Sequence, residues 1–346
     1  MRKQIVFLVS LLLLVASSPN AYSQAPYYQG KTIKIAVGFT PGGFYDRWAR
    51  LLSRYMPKYI PGNPEMIVQN MPGAGSVIAT NYVYNVAKPD GLTMGMPASG
   101  IYLDQVVGRK EAQFDLRKMR WIGTPVQEPM ILYMRADAPY KSVADIRNAQ
   151  KPPRCGATGK VSSAFMIARL LEETMPPLKI DTVLGYPGGS EIDLAVERGE
   201  VACRAMTASP FFGREPFTSW QKKNFVRILL FTGNKRDERI PDTPTIQEIF
   251  DKEKVPEPSR RVAQVILAAE TVGRPLMAPP ATPADHLKAL RSAFQQALKD
   301  PELVAEAKKG RMDIDPVPGE QLEKLIKDVL DQPPEVLSRV KSMLEG

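Results

Sequence analysis

Residues 32–46 read Thr32-Ile33-Lys34-Ile35-Ala36-Val37-Gly38-Phe39-Thr40-Pro41-Gly42-Gly43-Phe44-Tyr45-Asp46. Ile33, Ile35, Val37 and Phe39 occupy every second position, the period of a strand with one buried face. Gly42-Gly43 breaks that strand, and residues 46–55 read as a helix that ends before Pro57. The alternation continues outward. Met66-Ile67-Val68 is a short buried strand, Pro72-Gly73-Ala74-Gly75 a turn, and 76–86 a second helix. Lys88-Pro89-Asp90-Gly91 is another turn, followed by a strand over 92–96. This βαβαβ order predicts a largely parallel sheet with helices on its faces.

A second round begins after Pro129. Strands are expected at 130–134, 155–157, 182–186, 201–206 and 226–232, with helices at 162–175 and 190–198. Ser142 with Asp145, and Thr245 with Glu248, have capping-box spacing. Thr282-Pro283 and Asp300-Pro301 each read as an N-cap followed by proline at the first helical position, opening a helical tail. Two α/β units of similar make-up, without a long linker, predict two lobes with a cleft between them.

Composition narrows the chemistry. The 346 residues include one His and two Cys, with 46 Lys+Arg against 37 Asp+Glu for a net charge of +9. One His and two Cys cannot furnish a multi-His or Cys-rich zinc site. A Ser-His-Asp triad would have to use His286, and no G-x-S-x-G elbow accompanies it. No C-x-x-C is present. The positive balance favours anionic partners. Short, scattered basic clusters such as Lys222-Lys223 and Arg260-Arg261 read as solvated faces, not a nucleic-acid track. Arg2 and Lys3, an apolar run over 5–16, and Ala21-Tyr22-Ser23 form the three parts of a secretory signal peptide cut after Ser23. The apolar run is too short to span a bilayer. Export places Cys155 and Cys203 in an oxidising compartment. Both lie in strand-like runs, so they form a disulfide if those strands are neighbours and remain buried thiols if not.

Three strand-to-helix junctions are rich in glycine: Phe39 to Asp46, Pro72 to Ser76, and Gly156-Ala157-Thr158-Gly159-Lys160-Val161-Ser162-Ser163. Gly188-Gly189-Ser190 is a fourth. Glycine lets backbone approach a ligand, and the helix that follows aims free N–H groups at an anion. Gathered at one sheet edge, such loops would cradle a small carboxylate. Nucleotide motifs fail: Gly73-Ala74-Gly75-Ser76-Val77-Ile78 lacks the last glycine of G-x-G-x-x-G, and Ala25 stands where a P-loop ending in Gly30-Lys31-Thr32 needs its first. Asp46 reads as a first-turn carboxylate favoured by the helix dipole, or as a group that holds ligand through water. Arg204, a charge within an apolar strand, reads either as an edge or ion-paired arginine or as a fork for a ligand carboxylate.

The run Gly38 to Asp46, continuing to Ala49-Arg50-Leu51-Leu52, resembles the opening block of the Bug-type solute receptors of tripartite tricarboxylate transporters. Val68-Gln69-Asn70-Met71-Pro72-Gly73-Ala74-Gly75-Ser76, Lys88-Pro89-Asp90-Gly91-Leu92-Thr93, the loop from Gly156 to Ser163, and Ile240-Pro241-Asp242-Thr243-Pro244-Thr245 resemble later blocks in the same order. The resemblance covers the mature chain. It implies an α/β type II periplasmic-binding-protein fold, with lobe 1 from 28–129 plus 272–346 and lobe 2 from 130–271, crossing near 130–134 and 268–276. The last helices would return to lobe 1. It implies a monomeric, non-enzymatic periplasmic receptor that needs no cofactor or metal, captures a small carboxylate and delivers it to membrane permease subunits. The other role open to the same fold is presenting ligand to a signalling partner. On this reading the first lobe binds through Phe39, Thr40, Gly42, Gly43, Tyr45, Asp46, Ala74 and Ser99. The second closes with Gly159, Ser162, Ser163, Arg204 and Thr207. The chain departs from the family pattern with Thr40 where proline is common, and around Ala202 and Arg204, so the second-lobe pocket carries over least.

Overall fold

The computed structural model describes residues 25–159, 162–186, 189–213 and 215–345; the segment 1–23, read from the sequence as a signal peptide, and Lys160, Val161 and Gly188 lie outside them. The first stretch runs β1 (Thr32–Val37), α1 (Phe44–Tyr55), β2 (Glu65–Asn70), α2 (Val77–Asn85), β3 (Thr93–Met96), α3 (Ile101–Val106) and β4 (Arg120–Thr124). Next come β5 (Met130–Arg135), α4 (Val143–Arg147), β6 (Arg154–Gly156), α5 (Ser163–Thr174), β7 (Asp181–Val183), α6 (Gly189–Arg198) and β8 (Cys203–Thr207). These lead through α7 (Ala208–Gly213), α8 (Phe217–Lys222), β9 (Val226–Phe231) and α9 (Ile246–Lys252) to α10 (Glu257–Val272). The tail contains β10 (Leu276–Ala278), α11 (Ala284–Ala297), α12 (Pro301–Lys309), β11 (Val317–Pro318), α13 (Gly319–Leu330) and α14 (Pro334–Glu345).

Among the described residues the strands form two sheets, ordered β11-β4-β10-β3-β1-β2 and β7-β6-β8-β5-β9. The chain is therefore mixed α/β. β1 pairs in parallel with β2 and β3. Its alternating residues Ile33, Ile35 and Val37 pack with Trp48 and Leu52 of α1, while Ala36 packs with Val77 and Val83 of α2. Helices on both faces explain why Ala36, between the alternating positions, is buried as well.

β10 inserts antiparallel between β3 and β4, and β5 antiparallel between β8 and β9. The chain thus crosses from one sheet to the other through 125–129 and returns through 273–275. The two crossings are bonded to each other. Arg274 N donates to Thr124 Oγ1 (2.8 Å), Thr124 Oγ1 donates to Val126 O (3.0 Å), and Glu128 N donates to Glu270 O (2.9 Å). Gly273 adopts φ +55°, and a Cβ there would collide with the carbonyl of Val126. Asp315 joins the same bundle: its carbonyl accepts from Gln127 N and its N donates to Pro125 O, each at 3.1 Å.

Three of the four expected N-caps form. Ser142 and Asp145, and Thr245 and Glu248, make reciprocal capping boxes, and Asp300 caps α12 ahead of Pro301. Thr282 does not cap. Its buried hydroxyl donates to Pro279 O (2.8 Å), and α11 starts after Pro283 without a side-chain cap. α10 ties the halves together, because Tyr102 of α3 donates its hydroxyl to Val265 O (2.6 Å). α14 does not simply return to the first sheet. It packs on α10 and α5, and Arg339 reaches Glu173 and Ser259. That placement follows from its apolar stripe of Val336, Val340 and Met343, which is buried in the core that α5 and α10 share.

Cys155 and Cys203 are register partners on β6 and β8, with Cα atoms 4.4 Å apart, and form a disulfide. Their separation of 48 residues closes a loop worth about 4 kcal/mol in the chain-entropy account. Urea unfolding of a Cys155→Ser/Cys203→Ser double variant is expected to show that loss relative to the oxidised protein; a difference under about 1 kcal/mol would mean the bridge hardly constrains the unfolded chain.

Candidate functional site

Strand direction determines which loops meet. β10 arrives from the second sheet and runs antiparallel to β3 and β4, so the C-terminal ends of β3, β4 and their parallel neighbours β1 and β2 point toward the second sheet. β5 arrives from the first sheet at Met130, which pairs with Thr207, so the C-terminal end of β8 points back. β6 and β7 run parallel to β8. The loops after β1, β2 and β3 therefore face those after β6, β7 and β8. These loops carry the candidate residues from both halves.

The first loop is held by a buried carboxylate. Asp46 is 2% exposed and accepts from Gly42 N (2.8 Å), Asn70 Nδ2 (2.9 Å) and Arg50 Nε (2.9 Å). Asn70 Nδ2 also donates to Phe39 O (2.9 Å). Burial pushes the Asp46 carboxyl up, but the bonds from Arg50, Gly42 and Asn70 outweigh it and hold it below the ordinary carboxylate value. Asp46 thus braces the loop, with its acceptors taken up by Gly42, Asn70 and Arg50. Gly42, at φ +86°, lets the chain turn so that its N–H reaches the carboxylate. Thr40, Gly42 and Gly43 are exposed, and α1 begins after Gly43 with no side-chain cap on its first-turn N–H groups.

Phe39 and Tyr45 stack with ring centroids 4.1 Å apart. Tyr45 Oη accepts from Ser99 N (2.9 Å) and donates to Gly273 O (3.5 Å), linking this loop to the crossover. Arg274 lies over the Tyr45 ring at 4.3 Å and pairs with Glu128 (3.0 Å). Gly73, Ala74, Gly75 and Ser76 all have positive φ, which places Ser76 Oγ to accept from Ala98 N (2.8 Å). Ala74 is exposed, and its carbonyl accepts from Arg109 (3.3 Å).

The second half differs from its expected set. Arg204 Nη1 donates to Asp193 Oδ1 (2.6 Å) and Gly189 O (2.9 Å), and Tyr133 Oη donates to the same Asp193 oxygen (2.7 Å). Arg204 is therefore an ion-paired arginine on an interior strand. Gly189 is required here, because a Cβ on it would strike the guanidinium. Ser162 also has an internal task. Its hydroxyl donates to Gly159 O (2.7 Å) and caps α5 by accepting from Phe165 N (3.4 Å). Ser163 and Gly159 are half-buried beside it, and Thr207 sits at the end of β8 opposite Met130. His286 packs at the other edge of the first sheet, against Tyr27 (4.0 Å between centroids) and Gly91. Asn70, Glu128, Gly273 and Arg274 were not singled out in the sequence. The only local signal for them is glycine-arginine-proline at the junction of a helix with an apolar strand.

A family model described as tripartite tricarboxylate transporter family receptor matches residues 49–341. A protein of Cupriavidus necator described as "UPF0065 protein in gbd 5'region" is 26% identical over 284 residues, 81% of this chain and 79% of its own. A TctC solute binding protein from Polaromonas superposes with a TM-score of 0.72 at 19% identity, covering 92% of this chain and 99% of that one. MatC from Rhodopseudomonas palustris, solved with bound malate, superposes with a TM-score of 0.55 at 20% identity, covering 91% and 99%. The fold is the type II periplasmic-binding-protein fold.

Two substitutions probe the braces. Asp46→Asn leaves Arg50 half in solvent, so the loss at neutral pH should be on the order of 1–2 kcal/mol. Because the folded carboxyl is held low, its contribution is complete above about pH 4 and disappears as pH falls through the folded value. The wild type should thus show a steeper acid loss of stability than Asp46→Asn; parallel pH profiles would refute the brace. Arg204→Met strands Asp193, which is 3% exposed, and should cost on the order of 3 kcal/mol in urea unfolding. A fully stable Arg204→Met protein would argue against this pairing.

Proposed function

The chain belongs to the tripartite tricarboxylate transporter family of receptors, and from that premise we propose that it captures a small organic carboxylate between its sheets and delivers it to a membrane permease. The observation that carries this reading is the uncapped start of α1 after Gly43, in a loop already fixed by Asp46 and Asn70. Neutral N–H groups at a helix start, with no acceptor of their own, suit an anion. The net charge of +9 agrees, and so does the malate bound by a structural relative.

In this reading the first lobe offers the backbone of Gly43 and Ala74, the Thr40 hydroxyl, and the stacked rings of Phe39 and Tyr45, with Ser99 beside them and Gly42 held by Asp46. Gly159, Ser162, Ser163 and Thr207 close from the second lobe. Asp46 and Arg204 position these groups from behind. Tyr45 conveys the state of the loop to Gly273 and Arg274 at the crossover. Ligand that binds the closed arrangement more tightly shifts the population toward it, and the closed surface is what a permease reads. The N-terminal segment 1–23 directs export, so the receptor works in the periplasm.

Ligand-stripped protein should be unfolded thermally against mono-, di- and tricarboxylates, aromatic acids and amino acids. A true ligand at a hundred times its Kd adds about 2.7 kcal/mol, a rise of several degrees in Tm. A rise confined to one acid class identifies the chemistry. A flat panel on folded protein would overturn the carboxylate reading.

A further inference from the structure

A cavity of about 910 Å³ lies on the β9 side of the first crossover, walled by both halves of the chain. The crossover residues 126–129, the loop after β9, one face of α10, the segment around Asp313 and Asp315, and the end of α13 enclose it. Of the candidate cleft residues, Thr207 alone lines it. In the sheet order β8 and β5 lie between β9 and β6, and Ala208 and Ser209 after β8 line the cavity as well.

Two polar atoms on its wall lack any partner: Glu270 Oε1 and Gln332 Oε1. Glu270 is 6% exposed. Gln332 Nε2 donates to Asp328 O (3.1 Å), so the orphan end of that amide is its carbonyl. The Gln332 carbonyl can only accept, and the Glu270 carboxyl accepts at both oxygens once it is ionised, so a cation that carries hydrogen-bond donors suits both. Asp313 and Asp315 add negative charge to the same wall, while Asp328 there is paired with Lys324 (2.5 Å). The arginines there are already engaged, Arg236 with Glu248 (3.0 Å) and Arg239 with Asp237 (2.5 Å), and Lys235 is exposed. Burial pushes the Glu270 carboxyl up to about 8, against the lowering effect of a hydrogen bond with Thr232, and a cation beside it would favour its ionised form. Among the described residues no three His, Cys, Asp or Glu side chains converge as a metal site.

We propose that this cavity is a second ligand site, for a small aliphatic amine cation whose ammonium donors satisfy Glu270 and Gln332. An ammonium supplies both the donors and the countercharge that the wall lacks. Because residues of both halves enclose the cavity, an occupant steadies one relative arrangement of the two sheets. Occupancy would then be coupled to whatever binds the cleft, equally in both directions. The site itself does not depend on the carboxylate reading.

The test is calorimetric titration of the full chain with putrescine, alongside tetramethylammonium at equal ionic strength. Tetramethylammonium carries the charge but no donor. The expected result is saturable putrescine binding, with none for tetramethylammonium. Glu270→Gln should weaken putrescine at least about tenfold, and Asp313→Asn about two- to fivefold. Should Glu270→Gln fail to fold, Gln332→Met removes the other acceptor and carries the same expectation. No saturable binding at millimolar putrescine, equal binding of both cations, or undiminished binding in the variants would overturn the proposal. Carboxylates that raise Tm through the cleft should still do so in Glu270→Gln, so failure of one site is distinguishable from failure of the other.

Discussion

The close passage of two chain segments between the sheets is the constraint on which the rest depends. Gly273 carries no Cβ, so the returning segment can lie against the carbonyl of Val126. Arg274 N then reaches the Thr124 hydroxyl, and the Arg274 guanidinium reaches Glu128 and the face of Tyr45. The crossings set the direction of β5 and β10, and those strands set which loop ends face one another. With a side chain at 273 the segments would part, and Tyr45 would lose its carbonyl partner at the crossover.

Charge is used here as scaffolding. Asp46 holds Gly42 and Asn70; Arg204 holds Asp193 and the first turn of α6. Both charges lie behind the surfaces that the opposing loops present. Those surfaces consist largely of backbone groups, hydroxyls and two stacked rings. Fixed dipoles of this kind need little reorganisation when an anion arrives, and they do not demand that a strongly hydrated cation first shed its water. A site built this way is tuned by loop shape more than by the identity of one charged residue.

Much of the fold was legible in the sequence because its signals are local. The two-residue period of β1, the capping boxes at Ser142 and Thr245, and proline after Asp300 each involve residues a few positions apart. Thr282 shows the limit: its hydroxyl chose the Pro279 carbonyl over the helix start, a preference set by burial. The partners that make the site lie far apart in sequence. Asn70 meets Asp46 across two elements, Arg274 meets Glu128 across most of the second sheet, and Arg204 meets Asp193 only because α6 folds over β8. Residue type alone left Arg204 with two readings, and its ion pair to Asp193 is visible only in the fold.

The place of β10 in the first sheet also bears on how the protein is made. β3 and β4 are not neighbours; β10 lies between them. Until residues 276–278 emerge, the opening third of the chain is a three-stranded fragment with an unpaired edge, and β4 has no adjacent strand. The strands of the second sheet all come from residues 130–231, with α10 and α14 packing on its α5 later. A chain threaded N-terminus first therefore has every strand of its second sheet before it has all those of its first. The long-range closure of the first sheet is then the late, slow event, and the edge of β3 is the surface that must be shielded from other chains until it happens.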